Sequence, residues 1–456
     1  MSATSTLIRY INELRFENLQ DRAVGYIKTH VLDTLGAVIA GSSAECSKKL
    51  LNLIMRWMGR EEGTIFVYGV KAPLLNAAWM NSTMARGFDF ESLLGEGATH
   101  IPASIIPAAF AIAEYSEISR GGAISGKDFI VGIALGFDIN YRLRLAGGAA
   151  TVMGGGWLAE TFSPIAIAAM GAKMLNFDEI KTRNALGIAY NQCCGTYGAT
   201  VGDGGGLTAQ ISQGLGTKAG VLSLLLADEG FTASKEDIIE GKWGLYEMYG
   251  RGYYDRELLL GNLGKSFDHL KPLTKRYPGC GGLQSAIYIA LSLRRKAKFK
   301  IDDISRIKLY VSKLNYLQLA RGRSKPATTS DILWNEPYMV AIALVKNKLF
   351  VSELSEKSLE DPKILEIYSK VEVEPKESLK VGEVEMEVIT KNDKRYFQSG
   401  AAPSMSPREV IKKFKRCCQY GAKPFSKGEV DALIYAINNL EKARNVTEII
   451  SLLCPN

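Results

Sequence analysis

Residues 19–41 read LQDRAVGYIKTHVLDTLGAVIAG. Val24, Ile27, Val31, Leu35, Val38 and Ile39 recur at the spacing that gathers side chains on one face of an α-helix, and Gly41 stands where that helix should stop. The same periodicity runs through KKLLNLIMRWM, PLLNAAWMNSTMA, IIPAAFAIAEY, GKDFIVGIALGFDINYRLRLA, PIAIAAMGAKML and TKAGVLSLLLADEG, several of them rich in the Ala and Gly that let helices approach closely. This predicts an all-α first part over residues 1–268.

The pattern changes after Lys271. In ISRIKLYVS, Ile307, Leu309 and Val311 alternate with Lys308, Tyr310 and Ser312, and in GEVEMEVIT, Val384, Met386 and Val388 alternate with glutamates. Such two-residue periods predict half-exposed strands. Helical patterns at GLQSAIYIALSLRRKA and EPYMVAIALVKNKL lie between or near them, so residues 269–402 predict a smaller α+β domain. In SPREVIKKFKRCCQY, Ser406, Pro407 and Glu409 spell a helix start with a capping box, so residues 403–456 predict a helical return onto the first part. The fold class is mainly α.

At 456 residues and 46% hydrophobic the chain can fill large cores, and the absence of about 18 uninterrupted apolar residues or a signal-like N-terminus predicts a cytoplasmic protein with no membrane partner. The net charge of +8 is interleaved, without a basic stripe carrying aromatics, which argues against nucleic acid and hints at anionic ligands. Cys46, Cys193, Cys194, Cys280, Cys417, Cys418 and Cys454 form no CxxC, which points to a reduced chain without a structural metal site.

GLGTKAG at 214–220 loosely matches a dinucleotide fingerprint, but no strand pattern precedes it, and VGDGGG lacks the Gly-Lys-Ser/Thr ending of a phosphate loop. Close helix packing explains the glycines better. GxSxG is absent, and Cys280 reads as a small buried hydrophobe.

GFDFESLLGEGATHIPAS at 87–104 is more suggestive, because Asp89, Glu91, Glu96 and His100 share a short stretch in a chain with only three histidines. A histidine among carboxylates can take a proton next to a carboxylate and pass it on, although a solvated loop is the plain alternative. Lys275, Arg276 and Tyr277 precede the turn in KRYPGCGG, where cations could stabilise an enolate-like charge, and Tyr338 opens an apolar helix.

Taken together these segments resemble the MmgE/PrpD family, which includes 2-methylcitrate dehydratases, cis-aconitate decarboxylases and iminodisuccinate epimerases. VLDTLGAVIAG, NSTMARGFDFES, THIPASIIPAAFAIAE, GFDINYRLRLA, KRYPGCGG, NEPYMVAIAL and SPREVIKKFK follow one another in family order along the whole chain. The resemblance implies an all-α domain with a smaller α+β lid-like domain, a homodimer, an active site between the domains, and no metal or nicotinamide cofactor. It carries Asp89 and His100 onto a family aspartate and histidine, and Lys275 and Tyr277 onto a Lys-x-Tyr-Pro segment.

Several family positions differ. A histidine before Asp89 is Arg86, two further aspartates are Glu91 and Ser92, and other family histidines and a lysine fall on Leu158, Ser212, Ala209 and the region of Gln284. Fewer proton carriers imply a small organic acid other than 2-methylcitrate, with an apolar part near Trp157, Leu158 and Leu93. The expected function is a hydro-lyase: Asp89, His100 and Tyr277 are its catalytic candidates, and Arg86, Lys275, Leu158 and Tyr338 its substrate-binding ones. An epimerase using the same proton abstraction and a non-catalytic paralogue are the alternatives.

Overall fold

The computed structural model describes residues 1–95, 99–151, 155–158, 160–200, 206–297, 299–320 and 324–455. Glu96 and residues 201–205 of the VGDGGG stretch lie outside them.

The opening stretch forms the Asp21–Gly41 helix, with Val24, Ile27, Val31, Leu35, Val38 and Ile39 all buried. Around it stand the helices Leu74–Arg86, Pro102–Arg120, Gly126–Thr151, Ser163–Met174 and Gly206–Asp228. Pro102–Arg120 is buried on every side from Pro102 to Glu114, as expected of a helix whose whole circumference is apolar or small. The GLGTKAG glycines fall inside Gly206–Asp228, where a Cβ on Gly214 would lie 2.5 Å from Trp79 and one on Gly220 2.6 Å from Ile167. They are close-packing positions, as the missing strand pattern suggested.

A second core lies under a four-stranded sheet. Ile304–Val311 runs parallel to the edge strand Val371–Pro375 and antiparallel to Val384–Thr390, which pairs in turn with Arg395–Gly400. The register sets Ile307 beside Val388 and Leu309 beside Met386, so the apolar residues share the buried face that the helices Gln284–Ala297 and Glu336–Lys346 cover.

The Pro407–Cys417 helix starts with the Ser406–Glu409 capping box and packs along Asp21–Gly41, with Phe414 against Gly36. Beneath that contact Lys413 and Asp33, both buried, form an ion pair of 2.8 Å, and the Lys413 ammonium also donates to the Phe90 carbonyl at 2.6 Å. The last helices therefore touch the loop that follows Leu74–Arg86. Among the described residues no helix is long and apolar enough to cross a membrane.

Candidate active site

Arg86 ends its helix, and three residues later Asp89 takes a left-handed backbone with φ +48°. That turn is fastened from several sides. Asp89 N–H donates to the Arg86 carbonyl at 2.9 Å, Gly279 N–H to the Phe88 carbonyl at 2.9 Å, and the Lys275 ammonium to the Asp89 carbonyl at 2.7 Å. A two-rung ladder between Leu93–Leu94 and Pro272–Leu273 brings Lys275 to this loop. Leu94 and Thr99 then bond to each other through their backbones, which returns the chain so that His100 faces Glu91 just before the Pro102–Arg120 helix.

The side chains converge on one another. Asp89 is paired with both Arg86 and Lys275, and Arg86 also reaches Glu91 at 3.1 Å. His100 Nδ1 lies 2.5 Å from Glu91 Oε1 and 2.7 Å from the Arg86 guanidinium, while the His100 backbone N–H donates to Glu160 at 2.7 Å. Gln213, held by Ser212 at 2.7 Å, accepts from Arg86 Nε at 3.2 Å.

Electrostatics keeps Asp89, Glu91 and Arg86 charged. Burial alone would raise the Asp89 carboxyl, but Arg86, Lys275 and His100 reverse this and hold it well below the usual carboxylate range. Glu91 is likewise lowered against the pull of burial by Lys275, Arg86 and His100. Burial works against the Arg86 charge, and Asp89, Glu91 and Glu160 more than restore it.

A cavity of about 560 Å³, within the common range for small-molecule sites, opens beside this cluster. Arg86, Lys275, His100 and Leu158 line it, joined by Arg144, Arg276, Glu160 and the apolar Leu93 and Trp334. Asp89 and Glu91 stand behind its wall, 1% and 0% exposed. Tyr277 and Tyr338 are not on the lining: both side chains belong to the C-terminal core, and the Tyr338 hydroxyl is spent on the Ser358 carbonyl at 2.8 Å. Cys280 is on the lining, but burial pushes its thiol up to about 11, so it stays protonated.

The geometry adds residues the sequence reading did not single out. Glu160 lies two positions from Leu158, and Gln213 neighbours Ser212; only their polarity within already notable segments signalled them. Asp89, Glu91 and His100 have oxygen and nitrogen atoms within 4.8 Å of one another, close enough to consider a cation. Arg86 and Lys275 already balance the two carboxylates, and a divalent ion would meet both fixed cations. The set suits proton exchange better than metal binding.

Comparison with known proteins identifies the family. The family model for the MmgE/PrpD N-terminal domain matches residues 5–256, and that for the MmgE/PrpD C-terminal domain residues 277–436. The chain is 23% identical over 385 residues to a cis-aconitate decarboxylase of Aspergillus terreus (strain NIH 2624 / FGSC A1156), covering 81% of this chain and 77% of that protein. It is 23% identical over 476 residues to the Homo sapiens cis-aconitate decarboxylase, covering 99% of this chain and 94% of the relative. The Mus musculus cis-aconitate decarboxylase is 22% identical over 391 residues, covering 82% and 76%.

Proposed function

The chain belongs to the MmgE/PrpD family, and from that premise we propose that it is a lyase that removes a proton next to a carboxylate or carbonyl of a small organic acid, with His100 as the base. The relatives named for cis-aconitate decarboxylation support a lyase acting on a small organic acid. The observation that carries the reading is the 2.5 Å contact between His100 and the buried Glu91 at the wall of a cation-lined cavity.

With Nδ1–H donated to Glu91, the His100 lone pair sits on Nε2, the nitrogen with no partner among the described residues. Nε2 takes the α-proton. The electron pair left behind spreads onto the substrate carboxylate or carbonyl, where Arg86 and Lys275 offset the growing negative charge. When a β-hydroxyl leaves, the imidazolium returns its proton to that oxygen and water departs, giving an unsaturated acid. Asp89 is a positioning residue here, because its carboxylate and carbonyl both hold Lys275.

The test is turnover in deuterated water by wild type, Glu91→Gln and His100→Ala, with products read by mass. The expected result is an unsaturated product, with the rate lowered about 10²- to 10⁴-fold in each variant. Unchanged rates in both variants would remove His100 as the base. Deuterium entering the α-carbon without loss of water or carbon dioxide would make the reaction an epimerisation.

A further inference from the structure

Of the three histidines in the chain, the two that stand off the cavity lining meet on one segment. His269 belongs to it and lies 2.8 Å from Asp138, whose carboxylate also accepts from Tyr10 and Arg142 at 2.7 Å each. Leu270, the next residue, gives its carbonyl to His30 Nε2 at 3.0 Å. The strand Pro272–Leu273 follows and leads to Lys275, which bonds the Asp89 carbonyl. A hold on residues 269 and 270 therefore bears on where the Lys275 ammonium is delivered.

His30 differs from Asp138 in what its other edge does. Its Nδ1 lies 2.7 Å from the Ser92 hydroxyl, and Ser92 follows Glu91 in the chain. The ring is fully buried in the Asp21–Gly41 helix and packs against Phe137 in a T-shaped contact with centroids 5.0 Å apart. A carbonyl only accepts, so the Leu270 bond puts the ring proton on Nε2 and leaves the lone pair on Nδ1, to which Ser92 donates. One rigid imidazole thus spans the segment that leads to Lys275 and the loop that bears Glu91.

Resting on the reading that His100 is the base and Glu91 its partner, we infer that His30 is a positioning residue of the reacting cluster: by bonding Ser92 and Leu270 at once it sets Glu91 against both Lys275 and His100. The two contacts so governed are the 4.0 Å approach of Lys275 to Glu91 and the 2.5 Å contact of Glu91 with His100. The Leu93–Leu273 ladder and the Lys275–Asp89 pair also join loop to strand, but neither grips Ser92. His30 acts through these neighbours and lies outside the cavity lining.

The test uses the full chain labelled with ¹⁵N-histidine, as wild type, His30→Phe, His30→Gln, Ser92→Ala and Ile367→Ala. Ring tautomers are read by NMR near neutral pH, and amide exchange of residues 88–94 and 269–276 by mass spectrometry. Wild type should show His30 as the Nε2–H form and His100 as the Nδ1–H form. His30→Phe and Ser92→Ala should mix the His100 tautomers and speed exchange in the loop about 10- to 100-fold, the weight of one or two buried hydrogen bonds. His30→Gln, whose amide offers both a donor and an acceptor, should recover most of both signals. Ser92→Ala cuts only the arm to the loop and decides the matter where His30→Phe does not fold. Ile367→Ala, a truncation in the C-terminal core, should lower the melting temperature and leave the His100 signal unchanged. If the His100 signal is unmoved by His30→Phe and Ser92→Ala, or moved as much by Ile367→Ala, His30 is a packing residue and the inference fails alone. If wild-type His100 is not the Nδ1–H form, its pairing with Glu91 fails, and the proposed base with it.

Discussion

Glu336 shows how a single buried group can set a slope of stability with pH. It is fully buried at the first position of the Glu336–Lys346 helix, and neither carboxylate oxygen finds a hydrogen bond among the described residues. Burial pushes its carboxyl from the ordinary 4.5 up to about 8. A carboxyl raised on folding favours the native state fully below its unfolded value and loses that contribution as pH rises towards the folded one. His30, which donates to the Leu270 carbonyl and accepts from Ser92, is lowered by burial to about 4, so it matters only as pH falls through 6.5. The melting temperature of wild type should therefore fall between about pH 6.5 and 8, while Glu336→Gln should melt nearly independently of pH over that range and higher at its upper end. Parallel curves for the two proteins would exclude Glu336 as the source. At this scale the sequence was informative where a residue's type is rare: one histidine among carboxylates drew the eye to His100. It named Glu91 in the same stretch but not its pairing with His100, which depends on the Leu94–Thr99 contact returning the chain. Tyr277 and Tyr338 were chosen by position in a motif, and packing places both in the C-terminal core.

Among whole elements, the helices owe their contacts to glycines as much as to apolar faces. Gly214 allows Gly206–Asp228 to lie against Leu74–Arg86, whose Trp79 and Thr83 would meet any added Cβ. Gly25 sits exposed in Asp21–Gly41 with nothing within 4 Å. The same Gly→Ala change should thus act with opposite signs: Gly25→Ala raises stability by about 0.5–1 kcal/mol through helix propensity, and Gly214→Ala lowers it by about 1–3 kcal/mol through overpacking. Denaturant unfolding of the two variants reads the difference directly; equal shifts would mean that propensity, not packing, governs the second site. Periodicity made these elements legible, from the buried face of Ile307, Leu309 and Val311 to the capping box at Ser406 and Glu409. It also read Gly41 as a stop, and the helix does end there, yet its backbone is pressed against the Met84 carbonyl. A sequence pattern marks which face a helix buries but not the neighbour it buries that face against.

Across the molecule, the Asp33–Lys413 pair ties the last helices to the first. Burial outweighs the pull of Lys413 and raises the Asp33 carboxyl, the mark of an ion pair that costs much of what it gains. Lys413→Met alone should destabilise by about 3–5 kcal/mol, since it strands Asp33, whereas Asp33→Leu combined with Lys413→Met should recover most of that loss. Equilibrium unfolding of the two variants checks this, and equal losses would mean that the pair itself is net stabilising. Such a long-range partnership is invisible to local pattern, as is the ladder that joins Leu93–Leu94 to Pro272–Leu273. Lys275 meets Asp89 across 186 positions, and Lys413 reaches the Phe90 carbonyl across 323. During synthesis, then, the loop bearing Asp89, Glu91 and His100 emerges from the ribosome long before the two lysines that fix it. A nascent chain can build most of its helices and still lack both fastenings of that loop, a condition that translation meets only near the end.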